Sequence, residues 1–234
     1  MNLPLSKRLQ ACCDFVCAGD RVADVGCDHG YLGIHLLRSG IAHSVIAADI
    51  NEMPLQSAVR NAEKFGVRDK MQFFLSDGVQ GIPHDFDALV CASMGGDTII
   101  SILDAAPWLK NTQYRLILQC QSKTPMLRKY LAEQKFHIKL ETVLRDGRFL
   151  YTVMVAQWDP DCPKPTLGQL YFPPALLINP SAQLPEYYQS VVLRLRRAVT
   201  GQGEHADPVL TQALQELEND PQLTWLKEEH HDNG

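Results

Sequence analysis

The chain has 234 residues, 45% of them hydrophobic and 21% charged, which suits one full α/β domain with a smaller appendage. No run of about 18 apolar residues occurs, so no membrane span is expected. Seven cysteines, an odd number without a C-x-x-C pair, read as free thiols and disfavour a disulfide framework or a zinc site.

The formal charge of −5 is unevenly spread. From residue 201 onward one basic residue, Lys227, faces eight acids, while residues 1–200 hold 21 basic and 19 acidic residues. A slightly basic body with an acidic tail leaves a polyanionic partner open. The opening MNLPLSKRLQACCDF lacks the layout of a signal peptide, so a cytoplasmic location is expected.

In chain order, β-rich runs at 21–26, 44–50, 71–76, 86–93 and 114–121 alternate with stretches of helical spacing at 32–40, 54–66, 97–109 and 124–136. This alternation predicts a mostly parallel sheet with helices on both faces. Residues 136–146 and 147–158 then read as adjacent strands joined at Asp146–Gly147, a hairpin signal, so the sheet is expected to end antiparallel. Prolines crowd 159–185, a boundary or extended wrap. Residues 186–200 predict a helix with Val191, Leu195 and Val199 on one face, 209–219 a short acidic helix, and the last five residues disorder. The expected division is a nucleoside-binding unit over 1–158 and a C-terminal helical segment over 159–234.

The chemistry gathers at strand ends. VADVGCDHGYLG (22–33) is a buried strand, a glycine turn and a helix start, which aims backbone N–H groups at a ligand beyond the carboxyl ends of the strands. Gly26 and Gly30 permit a tight turn and close approach. The pattern D-x-G-x-D-x-G puts Asp28 where a dinucleotide motif has glycine. Asp24 and Asp28 suit a ligand with a cationic end, which points to S-adenosylmethionine. A bare glycine turn and a metal site on Asp28–His29 are the competing readings, and no second ligand cluster lies nearby. Asp49, 23 positions after Gly26, fits a ribose-diol acceptor for either kind of nucleoside, or a helix cap. Asp77 in LSDG suits an adenine amine, or a common turn. The two glycines of ASMGGDT (92–98) let a flat acceptor lie against the backbone, with Asp97 as a candidate N-cap.

Together LSKRL (5–9), VADVGCDHGYLGIHL (22–36), AADINEMPLQSA (47–58), LSDG (75–78), SMGGDTI (93–99) and LILQCQ (116–121) resemble the bacterial tRNA (adenine-22-N1)-methyltransferases. The resemblance covers roughly residues 1–158, and LGQLYFPPALL is similar to the family's lead-in to its C-terminal helices. It implies a Rossmann-like class I methyltransferase fold with a small helical C-terminal domain, S-adenosylmethionine as cofactor, and tRNA as partner. By motif, the cofactor loop would comprise Asp24, Gly26, Cys27, Asp28, His29, Gly30 and Tyr31. Asp49 and Ile50 would serve the ribose and flank the adenine, Asp77 and Gly78 would hold the adenine, and Ser93, Met94 and Gly95 would line the acceptor pocket. Arg8 would sit over the cofactor or at the tRNA entrance. The chain departs from the family in its C-terminus, where the acidic 201–234 segment does not resemble the second arm of a helical pair.

Attack by adenine N1 needs no strong general base. Asp28, or carbonyls of 93–95, are the candidates for steadying positive charge. Lys7, Arg8, Lys123, Arg128, Lys129, Arg145, Arg148, Arg194, Arg196 and Arg197 are candidate RNA contacts or solvated surface charges, with RLRR (194–197) unrelieved by acids over 187–203. Tyr31, Phe149 and Tyr151 are stacking candidates, the last two equally readable as buried aromatics. No metal is expected, and a monomer is. Competing functions are another methyl acceptor on the same fold, an NAD-dependent oxidoreductase, and a non-catalytic RNA-binding module. Asp28 and the D-G hairpin count against the oxidoreductase, and the three intact acids Asp24, Asp49 and Asp77 against the module.

Overall fold

The structure, a computed structural model, describes residues 3–203 and 207–228. Seven strands form one sheet in the order β3-β2-β1-β4-β5-β7-β6. These are β1 (Arg21–Val25), β2 (Ser44–Asp49), β3 (Met71–Leu75), β4 (Ala88–Gly95), β5 (Arg115–Ser122), β6 (Phe136–Asp146) and β7 (Phe149–Trp158). The first five pair in parallel, and β7 runs antiparallel between β5 and β6. The expected hairpin turns at Asp146–Gly147, where Gly147 takes φ +61 and Asp146 pairs with Phe149.

Helices α1 (Lys7–Cys13), α2 (Tyr31–Arg38), α3 (Glu52–Lys64), α4 (Gly96–Asp104) and α5 (Thr124–Glu133) cover the sheet. One face buries Leu89, Cys91, Leu116 and Leu118 with Ile99 of α4 and Leu127 of α5. The other buries Val22, Val45 and Val90 with Cys12 of α1, Ile34 of α2 and Ala58 of α3. Two details differ from the sequence reading. The N-terminal LSKRL begins a real helix, α1, capped by the Ser6 hydroxyl, which accepts from the Leu9 N–H at 3.3 Å. Helix α4 stops at Asp104, because Pro107 disfavours helical backbone before it and the chain continues as a short 3-10 turn.

The proline-rich stretch is neither a loose linker nor merely extended. Thr166 and Gln169 form a capping box that starts α6 (Leu167–Tyr171), and a 3-10 turn follows at Pro174–Leu177. Helix α7 (Leu184–Gln202) then buries Tyr187, Tyr188, Val191 and Leu195 in a third core. The acidic stretch does supply a further helix: α8 (Pro208–Asn219) packs on α6 and α7 with Ala213 and Leu217 buried. The Tyr188 hydroxyl donates to the Leu217 carbonyl at 3.0 Å, which ties α7 to α8. A last turn, α9 (Trp225–Glu228), closes this unit. Residues 230–234, expected to be disordered, lie outside the described residues. Among the described residues no helix is long and apolar enough to cross a membrane.

One buried ion pair joins the sheet to the C-terminal helices, and it corrects the reading of Arg128 as an RNA contact. Arg128 is 2% exposed and donates to Glu141, itself wholly buried, at 2.5 and 3.2 Å. Its remaining N–H groups reach the carbonyls of Leu170 and Tyr171 and the hydroxyl of Tyr187. A guanidinium so enclosed has nothing left for a phosphate. Its place on α5 points it inward, whereas Lys129, the next residue, is exposed and pairs with Glu133.

Removing one member of a buried pair strands the other's charge, so Glu141→Ala should cost about 3–5 kcal/mol in urea unfolding. The double variant Arg128→Met with Glu141→Leu should recover most of that loss; a double variant as unstable as the single one would refute the uncompensated-charge account.

Candidate active site

The carboxyl ends of β1, β2 and β4 converge on one cleft edge, and each delivers a carboxylate or a kinked backbone. After β1 the chain turns through Gly26, Asp28 and Gly30, with φ of +72, +49 and +72. The N–H groups of Gly26 and Cys27 both donate to the Ala48 carbonyl, at 2.8 and 3.0 Å, anchoring the turn to β2. Asp49 closes the arrangement: its carboxylate accepts from the Asp28 N–H at 3.1 Å and the Asn51 N–H at 2.9 Å. The loop is therefore held in a conformation that non-glycine residues avoid.

An added Cβ would crowd its neighbours at two of these glycines, although at Gly26 it would meet only the movable end of Met94, so there the φ of +72 is what calls for glycine. A Cβ at Gly26 would lie 2.2 Å from Met94 Cε, so the Met94 side chain rests against the loop. A Cβ at Gly30 would lie 2.9 Å from the Ala58 Cβ, because α3 packs hard on the start of α2. His29 is exposed, its carbonyl held by the Asn61 amide at 3.0 Å and its ring 5.7 Å from that of Tyr31. Cys27 is buried, and burial raises its thiol above the ordinary range, as it does for Cys12, Cys13 and Cys91. Thiols held protonated in this way are poor nucleophiles.

Asp24 is the unusual group. Its carboxyl is buried at the end of β1, and its Oδ2 has no hydrogen-bond partner among the described residues. Burial pushes its pKa up to about 7; the Gly33 N–H opposes this, and the nearby charges of Asp49 and Asp28 add to it. Such an acceptor beside a glycine turn fits a ligand that brings a positive charge. A pyrophosphate would meet the opposite field. Around it, Ile50 at the end of β2 is 61% exposed and Leu75 at the end of β3 60%, forming an apolar rim suited to a flat ring. Asp77 is exposed beside Gly78, whose φ is +59.

The end of β4 is bulged. Pairing with β5 jumps from Ala92 to Met94, so Ser93 is left out of the ladder with φ +61. Its N–H is taken by the Gln119 side-chain carbonyl at 2.9 Å. Gln119 is wholly buried, and its amide donates to the Cys120 carbonyl. The sequence motif LILQCQ gave Gln119 no role; an amide within the apolar run of the strand, two residues before a second one at Gln121, was the available signal. Helix α4 is capped by the Gly95 backbone, and Asp97, expected as the N-cap, instead pairs with Lys123 at 2.5 Å.

The basic candidates divide by partner. Arg8 pairs with Asp146 at 3.0 Å and lies 4.8 Å over the Tyr151 ring. Arg145 pairs with Glu186, and Arg196 with Glu218 at 2.6 Å. The RLRR cluster is thus relieved by an acid from α8, outside the window read in the sequence. Lys7, Arg148, Arg194 and Arg197 are exposed. Arg148 lies 4.8 Å over Phe149, and Arg194 donates to the Ser190 carbonyl at 3.2 Å. Phe149 is 51% exposed, not buried. Among the described residues no cluster of three or more His, Cys, Asp or Glu could hold a metal ion.

Comparison with known proteins agrees with this geometry. A family model described as a methyltransferase domain matches residues 5–154. The tRNA (adenine(22)-N(1))-methyltransferase of Bacillus subtilis (strain 168) is 33% identical over 157 residues, 67% of this chain. That alignment spans 66% of the relative's own length, just under two thirds. The crystal structure of Streptococcus pneumoniae Sp1610, a putative tRNA (m1A22) methyltransferase, superposes with a TM-score of 0.79 at 30% identity, covering 92% of this chain and 98% of that one. The B. subtilis m1A22 tRNA methyltransferase structure covers 97% of this chain and 99% of its own at 27% identity, with a TM-score of 0.77. The likeness therefore extends through the C-terminal helices, and the chain belongs to the S-adenosylmethionine-dependent methyltransferases, in the family of bacterial tRNA (adenine-22-N1)-methyltransferases.

Proposed function

We propose that this chain methylates N1 of adenine 22 in tRNA, using S-adenosylmethionine, in the cytoplasm. The observation that carries the cofactor half is the buried carboxyl of Asp24, whose Oδ2 has no hydrogen-bond partner among the described residues, beside a strained glycine loop. The acceptor half is supported by the family, and the S. pneumoniae relative has also been solved in complex with S-adenosyl-L-methionine. Residues 1–158 would form the catalytic unit and 159–234 a helical unit that helps engage the tRNA.

The residues divide the work as follows. Asp24 and the turn from Gly26 to Tyr31 receive the cationic amino-acid end. Asp49, already oriented by two backbone N–H groups, keeps lone pairs for a ribose diol. Ile50 flanks the adenine of the cofactor, and Asp77 with Gly78 borders its amine edge. When bound there, S-adenosylmethionine supplies an electrophilic methyl group. The chain's own task is alignment, since neutral adenine N1 has an in-plane lone pair and loses no proton before attack. Positioning of this kind is worth roughly 7–11 kcal/mol. The bulge at Ser93, with its N–H committed to Gln119, turns backbone out of the ladder where Met94 and Gly95 meet the loop. Carbonyls of 93–95 would accept from the adenine N6 amine, and Asp28 would steady the positive charge that develops. An acceptor whose Watson–Crick edge is the target must be unpaired and turned out of its stack, at a cost of a few kcal/mol.

The direct test is incubation with radiolabelled S-adenosylmethionine and bacterial tRNA lacking 1-methyladenosine, followed by nucleoside chromatography. Label should appear in 1-methyladenosine and fall sharply in Asp28→Asn. Cofactor binding without labelled adenosine would move the assignment to another acceptor. Asp49→Ala should weaken S-adenosylmethionine binding by calorimetry by about 1.5–3 kcal/mol, the worth of hydrogen bonds to a charged group.

Asp24 sets a pH dependence. Its folded pKa of about 7 lies above the ordinary 3.8, so the fold holds the proton more tightly than the unfolded chain. The ligand-free protein should therefore lose stability as pH rises from about 4 to about 7 and level off above that, and Asp24→Asn should flatten the slope. A cationic ligand reverses the preference, so cofactor affinity should strengthen over the same rise in pH. An affinity that weakens as pH rises toward 7 would contradict this placement of the cation.

A further inference from the structure

A cleft of about 560 Å³ lies between the tip of the β6–β7 hairpin, the end of β5 and one face of α7. Ser122, Lys123, Phe149, Tyr151, Glu186 and Arg194 are among its lining residues. It borders the acceptor side of the active site, because a Cβ at Gly95 would lie 3.2 Å from the Ser122 hydroxyl. The cleft therefore begins where the bulged end of β4 stops.

Its chemistry is not that of a buried core. Phe149 leaves half its surface exposed at the hairpin tip, and Tyr151 meets it at 6.2 Å with the rings inclined at 66°, edge-on and not stacked. Arg148 lies over the Phe149 ring, and Arg194 reaches into the same space from α7. Among the described residues neither arginine has a carboxylate partner. By contrast Lys123 is committed to Asp97 and Arg145 to Glu186. An exposed aromatic face flanked by two cations that no carboxylate pairs, with the lining acid Glu186 held by Arg145, is complementary to a base and its phosphates, and every base offers a π-face regardless of sequence.

We propose that this cleft holds a second, unstacked nucleotide next to the acceptor adenine, with its base stacked on Phe149 and its phosphates met by Arg148 and Arg194. The proposal rests on the reading of the acceptor as a tRNA adenine. It makes the true substrate a locally opened polynucleotide, and it makes recognition at this position one of geometry and not of base identity.

The test is titration of end-labelled tRNA with the full chain loaded with S-adenosylhomocysteine, read by fluorescence anisotropy, with cofactor affinity measured separately by calorimetry. Phe149→Ala should weaken RNA binding about 5- to 150-fold, the range of one lost stacking contact, with cofactor affinity unchanged. Phe149→Trp should retain binding. Arg194→Gln should reduce the slope of log affinity against log salt by about one. An RNA whose bases on both sides of the acceptor are locked in continuous duplex should bind the wild type no better than it binds Phe149→Ala. Equal binding of tRNA by wild type and Phe149→Ala overturns the proposal, as does a salt slope that Arg194→Gln leaves unaltered. If the wild type shows these binding differences yet labels no adenine N1, the cleft stands and the assigned reaction falls.

Discussion

The hold of Asp49 on the loop after β1 is the constraint from which the site follows. Asp28 cannot sit at φ +49 without cost, and neither this residue nor its glycine neighbours would order the turn by themselves. The Asp49 carboxylate removes that freedom from the adjacent strand by accepting the Asp28 and Asn51 N–H groups, while the Ala48 carbonyl takes two further N–H groups of the turn. One strand end thus shapes the loop of its neighbour, and the loop is formed in advance of any ligand. The parallel register makes this possible, because Val25 of β1 lies beside Ala48 and brings the two carboxyl ends level.

The same preorganisation explains why Asp24 tolerates burial. Burial first, and the nearby Asp49 and Asp28 after it, disfavour its charge, and the fold accepts a carboxyl whose Oδ2 finds no donor among the described residues. A group of this kind is a liability for stability and an asset for binding a cation, since the ligand supplies the missing counter-charge. Strain is stored on the same edge of the sheet. Of the four described non-glycine residues with positive φ, Asp28, Ser93 and Lys123 end or follow β1, β4 and β5, and only Lys135 lies elsewhere.

Legibility in the sequence followed distance along the chain. The strands and helices after α1 and up to residue 158 were readable because period-2 and period-3.6 patterns are local. The acids were readable because each directly follows or ends a strand beside a glycine or a turn. Arg128 was misread because its partners, Glu141, Leu170, Tyr171 and Tyr187, lie 13 to 59 residues away, and composition alone made it one of a basic run with Lys123 and Lys129. The RLRR stretch failed differently. Successive helical residues turn by about 100°, so Arg194 faces the cleft while Arg196 meets Glu218 of α8. No window confined to one helix contains that acid. Helix α8 was legible as a helix over 209–219, but its packing was not, because charge masked Ala213 and Leu217, two residues whose burial depends on α6 and α7 already being in place.

The Arg128 network also bears on how the two halves act together. Glu141 belongs to an edge strand and Arg128 to α5, while the groups that complete their hydrogen bonding come from α6 and α7. A buried guanidinium must satisfy its donors, so the C-terminal helices cannot swing away without exposing or orphaning it. Helix α7 is in this way fixed by Tyr187 and, two turns along the same face, carries Arg194 into the cleft that both residues line. Deep inside, an arginine enclosed by its partners sets the position of one at the surface. The interior ion pair and the surface cation are therefore parts of one arrangement, in which the rigid catalytic sheet governs the width of the cleft beside it.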